Sequence, residues 1–129
     1  MNILIPLNVS TTQSLLVEKE HTAEHLGSGQ VNVLATPMMI ALMEAAALET
    51  VQAYLPSGWT TVGTKVNVDH IRATPIGRTV TAEATLISRD DLSLNFIVEA
   101  RDNMGVIGQG SHQRFIIEKE KFISSSGGK

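Results

Sequence analysis

A chain of 129 residues with a formal net charge of -3 holds material for one domain with a proper core, since domains near this size withdraw about two-thirds of their unfolded surface from water. The mildly acidic balance leaves no basic stripe to neutralise a phosphate backbone, which excludes nucleic acid as a partner, and the lack of any cysteine removes disulfides, thiol nucleophiles and thiolate metal sites. No run reaches the roughly 18 apolar residues of a membrane span, and the opening MNILIPLNVS lacks a basic region followed by a long apolar one, so the chain reads as cytoplasmic and free of the membrane.

In chain order, the first element is expected as a strand near Ser14 to His21. From His21 to Ala35 the sequence HTAEHLGSGQVNVLA keeps no period and carries two glycines, which marks a long loop of the kind that serves as a lid or binding loop. A helix is expected from Thr36-Pro37, with Thr36 as N-cap and Pro37 at the first helical position, where its missing N–H has no intrahelical partner. It runs through MMIALMEAAALETVQAYL and is stopped by Pro56 and Gly58. Apolar residues occupy nearly its whole circumference from Met38 to Leu48, so it is expected to be buried on most sides.

Beyond the helix the period changes to two, and four strands are expected. In the first, Val62, Thr64, Val66, Val68 and His70 share a face aimed at the helix. The second runs about Thr79 to Ser88 with Val80, Ala82, Ala84 and Leu86 inward. Arg89-Asp90-Asp91 connects it to a third strand whose apolar face is Leu92, Leu94, Phe96, Val98 and Ala100. Asp102 to Gly105 turns the chain into a last strand, Val106 to Ile117. Antiparallel connections around one long helix define an α+β architecture, a sheet curled around a central helix. Residues 1–123 form the domain and 124–129, small and polar, an unstructured tail.

Three residues stand out chemically. Glu44 is a carboxylate inside an otherwise apolar helix, where an ionised group costs several kcal/mol unless it is paired or used. His70 ends an inward-facing series at a chain reversal, pointing toward the element that carries Glu44. Thr36 is explained by capping alone, yet it stands at a helix N-terminus, whose free N–H groups and positive dipole end suit a thioester oxygen or an anionic intermediate. On the last strand Gly108, Gly110, His112 and Arg114 share a face, and the glycines leave room for a ligand or a neighbouring backbone. His21 and His25 have ligand-like spacing but no third partner, so no metal and no cofactor are expected.

Taken together, HLGSG in the loop, VLATPMMIALMEAAALE at the helix, VGTKVNVDHIRATPIGRTVTAEATL across two strands and GSHQRFII near the end resemble the hotdog-fold thioesterases of the fluoroacetyl-CoA thioesterase family, over nearly the whole chain. The resemblance implies a hotdog fold, a homodimer, and hydrolysis of a small acyl-CoA to free acid and CoA. It implies a catalytic triad of Thr36, Glu44 and His70, a Gly63 backbone N–H directed at the thioester carbonyl, and an Arg114 that contacts the substrate or its CoA portion. The loop from His21 to Ala35 departs from the pattern, because it contains none of the phenylalanines of the fluoroacetyl-specific lid. Two other readings of the same fold are a dehydratase acting on the acyl chain and a non-catalytic acyl-CoA binding module. A geometric constraint applies to all of them: in a regular helix Glu44 lies about 12 Å along the axis from Thr36, so the two meet only through the substrate or across two subunits.

Overall fold

The computed structural model describes residues 2–127. The elements are β1 (Ser10–Leu16), a 3-10 turn at Lys19–His21, α1 (Ala23–Leu26), α2 (Thr36–Gln52), β2 (Trp59–His70), β3 (Thr79–Asp90), β4 (Ser93–Asp102), β5 (Gly105–Glu118) and α3 (Lys119–Ser125). The strands form one antiparallel five-stranded sheet in the order β1-β3-β4-β5-β2, wrapped against α2. This is the expected α+β architecture.

Alternation decides which side of the sheet meets the helix. Val80, Ala82, Ala84 and Leu86 of β3, and Leu94, Phe96, Val98 and Ala100 of β4, are all buried as their period of two requires. The helix answers with Met39, Met43, Ala46, Ala47, Thr50 and Val51, a stripe spaced at three, four and seven residues. Small residues on both partners let the helix lie close to the sheet. The rest of the helix is less covered than its composition predicts: Ala41 is exposed, and Leu42, Ala45 and Leu48 are half-buried. An apolar flank is therefore left beside β2, itself an edge strand with a neighbour on one side alone.

Several boundaries differ from expectation. The first strand lies at Ser10–Leu16, earlier than Ser14 to His21, because the polar run STTQS pairs along β3 as an edge strand with only its alternate residues half-covered. The loop from His21 to Ala35 contains α1, capped by the Thr22 hydroxyl and ended by Gly27 in the left-handed region at φ 77°. It is tied down by Ala23 N–H to the Val33 carbonyl and Leu34 N–H to the Thr74 carbonyl. Helix α2 ends at Gln52, and the short α3 enters the segment expected as tail by two residues, the end of that segment lying outside the described residues.

The correction that matters most for the site is in β2. A β-bulge between Gly63 and Lys65 inserts an extra residue, so the inward face is Thr61 and Gly63 before the bulge and Val66, Val68 and His70 after it. The pairing partners Arg114, His112, Gly110 and Gly108 line the same side. Val62 and Thr64 are thereby removed from the helix-facing series in which simple alternation puts them.

Candidate active site

The sequence-singled residues fall into two groups at opposite ends of β2. The first is Thr36 with His70. Ala35 is the N-cap and makes no side-chain cap bond, so Thr36 is the first helical residue, Pro37 the second, and the Thr36 hydroxyl is free of the capping role expected of it. That hydroxyl instead lies 2.8 Å from His70 Nδ1. His70 Nε2 is buried and makes no hydrogen bond, the single such side-chain atom among the described residues. Burial pushes the imidazole below its ordinary value of 6.5, with the Arg72 backbone opposing. A neutral histidine with one nitrogen held by a hydroxyl and the other unspent is equipped to move a proton. The pair opens on a cleft of about 410 Å³ walled by the loop residues Ala23, Gly29, Val31 and Val33 and by Arg72.

The second group is Glu44, Gly63, His112, Arg114 and Thr61. Arg114 is 6% exposed and fully engaged: Nε donates to the Thr61 hydroxyl at 2.8 Å, Nη2 to the Thr61 carbonyl at 3.0 Å, and Nη1 to His112 Nε2 at 3.1 Å. Its Nη1 also stands 3.7 Å from Glu44 Oε2. Buried and fixed on all sides, Arg114 directs its charge at Glu44. The Glu44 side chain is 40% exposed, so its carboxylate is oriented by Arg114 on one side and open to solvent on the other.

Gly63 permits this arrangement by lacking a side chain. A Cβ there would stand 2.5 Å from Glu44 Oε2 and 3.2 Å from His112 Cε1, so the carboxylate rests on bare strand backbone beside the bulge. The other glycines of this face serve packing: a Cβ at Gly108 would meet Met39 Sδ at 2.5 Å, and one at Gly110 would run into the Asn67 carbonyl and Val68. Of the two uses for that room, close approach of backbone and helix is the one observed.

Within the chain the structure thus brings Thr36 to His70, and Glu44 to Gly63 and Arg114, but does not join the two groups. Glu44 is two turns along α2 from Thr36, about 12 Å. Gly63 and His70 are seven residues apart on β2, about 23 Å in extended chain. His112 and Thr61 belong to the second group and were not singled out from the sequence as site residues; the face that His112 shares with Arg114 points to His112, whereas no sequence signal points to Thr61. His21 accepts the Glu18 backbone N–H through Nδ1 as part of a turn, and no cluster of three potential metal ligands occurs among the described residues. Nor, among them, is any helix long and apolar enough to cross a membrane.

The sequence model of a family described as fluoroacetyl-CoA-specific thioesterase matches residues 17–120. The fluoroacetyl-CoA thioesterase of Streptantibioticus cattleyicolor is 42% identical over 90 residues, 70% of this chain and 65% of that protein, so the match spans slightly less than two-thirds of the relative's length. A solved structure of the fluoroacetyl-CoA thioesterase FlK is 33% identical, with a TM-score of 0.90 over 95% of this chain and 96% of that one. A hot-dog-like protein from Thermanaerovibrio acidaminovorans, 18% identical, shares the fold with a TM-score of 0.86 over 95% and 91% of the two chains. The fold is the hotdog fold.

Proposed function

This chain belongs to the fluoroacetyl-CoA-specific thioesterase family, and from that premise we propose that it is an acyl-CoA hydrolase, cleaving the thioester of a small acyl-CoA in a homodimer whose active sites are each built from two protomers. The observation that carries the composite site is the separation just described, two half-sites held at the two ends of one edge strand. Antiparallel pairing of β2 with the same strand of a second copy, about a twofold axis between Val66 and Asn67, sets Gly63 of each protomer opposite His70 of the other. Glu44, which touches Gly63, then faces the Thr36–His70 pair across the interface. The same pairing covers the exposed stretch from Gly63 to Asn67 and brings the half-covered flank of α2 against its counterpart, answering both a free sheet edge and an apolar surface.

In this reading the thioester carbonyl lies against the backbone at Gly63, whose N–H polarises it. One water is consumed: its oxygen ends on the carbonyl carbon, the C–S bond breaks, and the departing CoA thiolate takes up a proton managed by His70 with the Thr36 hydroxyl. Glu44 acts either as the base that draws the proton from water or as the nucleophile that forms a mixed anhydride, and both routes need its carboxylate free on the solvent side and held by Arg114 on the other. Labelled oxygen from water entering Glu44 during turnover marks the anhydride route. A small acyl group follows the likeness to the fluoroacetyl-CoA-specific family, and fluoroacetyl selectivity is not part of the proposal, since the loop walling the cleft has no phenylalanine. A chain without cysteine suits the reducing cytoplasm, where we place it.

The test is thiol release from a panel of short, branched and aromatic acyl-CoAs by the wild type and by Glu44→Gln. Turnover of at least one short acyl-CoA, lost in the variant with folding intact, is expected. No release from any member, or near-normal hydrolysis by the variant, contradicts the assignment.

A further inference from the structure

We propose that His112 is a positioning residue for the reaction, a neutral imidazole that ties the β2 bulge carrying Gly63 to the arginine that orients Glu44. The inference rests on the reading of Glu44 as the acting carboxylate. His112 is 3% exposed, with its ring centroid 6.2 Å from that of Phe96 of β4, so its action on the reaction runs through its neighbours.

Both ring nitrogens are committed. Nδ1 is 2.7 Å from the carbonyl of Lys65, the residue at which the β2–β5 register resumes after the bulge. Nε2 is 3.1 Å from Arg114 Nη1. A guanidinium has no acceptor, so Nε2 must accept, and a carbonyl has no donor, so Nδ1 must carry the hydrogen. One protonation state satisfies both contacts: the neutral ring with hydrogen on Nδ1. Adding a proton to Nε2 turns a hydrogen bond into two cations face to face in a buried site.

The charged and polar groups around the ring come from three elements. Burial works against the imidazolium, the Lys65 carbonyl on β2 favours it, Arg114 on the ring's own strand works against it, and Glu44 on α2 favours it, with the balance below the ordinary 6.5. The ring therefore stays neutral where the carboxylate is needed. Through Nδ1 it fixes where the bulge displays Gly63, and through Nε2 it fixes the Nη1 that faces Glu44. Movement of either by about an ångström is enough to cost on the order of a hundredfold in rate.

Three substitutions separate the two arms. His112→Phe keeps the ring packing and loses both hydrogen bonds. His112→Gln offers an amide oxygen near the Nε2 position and keeps an acceptor for Arg114, whereas His112→Asn keeps a donor near Nδ1 for Lys65. The expected result is a fall in kcat of about 10- to 100-fold in His112→Phe with KM changed less than about threefold, and partial recovery of kcat in His112→Gln or His112→Asn. A second readout needs no turnover: nitrogen NMR of the wild type at about pH 7.5 should show His112 with hydrogen on Nδ1 and a bare Nε2, and its protonation midpoint should lie below the ordinary 6.5. A His112→Phe enzyme with kcat within about twofold of wild type, a loss of kcat no larger than its loss of folded protein explains, or a ring carrying hydrogen on Nε2 overturns the proposal. Inactivity of the wild type on every acyl-CoA instead removes the hydrolase reading and leaves the tautomer result to stand by itself.

Discussion

Gly63→Ala isolates the geometry on which the Glu44 half-site depends, because it adds one methyl group and leaves the backbone N–H in place. The new Cβ would stand 2.5 Å from Glu44 Oε2, against an ordinary contact of at least 3.4 Å, so the oxygen must retreat by about 0.9 Å. The same Cβ would stand 3.2 Å from His112 Cε1, so that ring must give by a few tenths of an ångström, while the carboxylate has an open side toward solvent, since the Glu44 side chain is 40% exposed. A flexible side-chain end facing water moves more cheaply than a strand paired to β5, so the carboxylate swings out and the fold stays. The stability cost is then about 1 kcal/mol or less, a shift of about 3–6 °C in Tm for a domain of this size. The catalytic cost is far larger: displacement by about 1 Å costs on the order of a hundredfold in kcat, about 2.7 kcal/mol of barrier. Thiol release from the best acyl-CoA, read beside a thermal melt, checks both numbers. A kcat within about threefold of wild type refutes the reasoning, as does a loss of activity that comes with collapse of the melt.

Two further outcomes follow from buried polar groups. His70 and His112 both lie below 6.5 in the folded protein, so in the window beneath that value the unfolded chain binds more protons, and stability rises with pH until it levels off above it. The urea midpoint should be lower at about pH 5 than at about pH 7.5, and an equal or higher midpoint at the acid value contradicts the assignment of both rings as neutral. Asp102 has a fully buried side chain whose oxygens accept from Thr74 Oγ1 at 2.9 Å and Met104 N–H at 2.8 Å, with Arg72 at 3.5 Å and Arg78 at 3.9 Å. Burial alone raises its carboxyl, but the two hydrogen bonds and the two guanidinium groups outweigh that and hold it below 3.8. Asp102→Ala should cost about 2–4 kcal/mol in urea unfolding and Asp102→Asn less, with a cost under about 0.5 kcal/mol for the alanine variant counting against this account.

Much of this was legible in the sequence, for identifiable reasons. The buried faces of β3 and β4 follow from strict alternation of apolar and polar residues, and α2 from its helix formers bounded by proline and glycine. What alternation did not convey was the bulge at Gly63: an inserted residue leaves the pattern of types intact while moving Val62 and Thr64 to the other face. Thr36 was read as a cap because Thr-Pro is so good a helix start, yet the cap is Ala35, and the hydroxyl is spent on His70. Glu44 was visible as a charge in an apolar helix, but its partner was not. Arg114 sits seventy residues away on β5, and its burial, its Thr61 and His112 contacts and its aim at Glu44 are products of the tertiary fold. The uniform apolarity of α2 suggested burial on most sides, whereas the chain itself buries a single stripe and leaves Leu42, Ala45 and Leu48 half-covered.

The central claim, that each active site joins Thr36 and His70 of one protomer to Glu44 of its partner, is tested most directly by mixing two inactive proteins. In a heterodimer of Glu44→Gln with His70→Ala, one of the two active sites carries both lesions and the other carries neither. Co-refolding or co-expressing the two variants, each inactive alone, should restore thiol release to as much as half the wild-type rate per heterodimer. Mixed dimers that form, as judged by differently tagged subunits, yet stay as inactive as either parent would contradict a site shared between protomers.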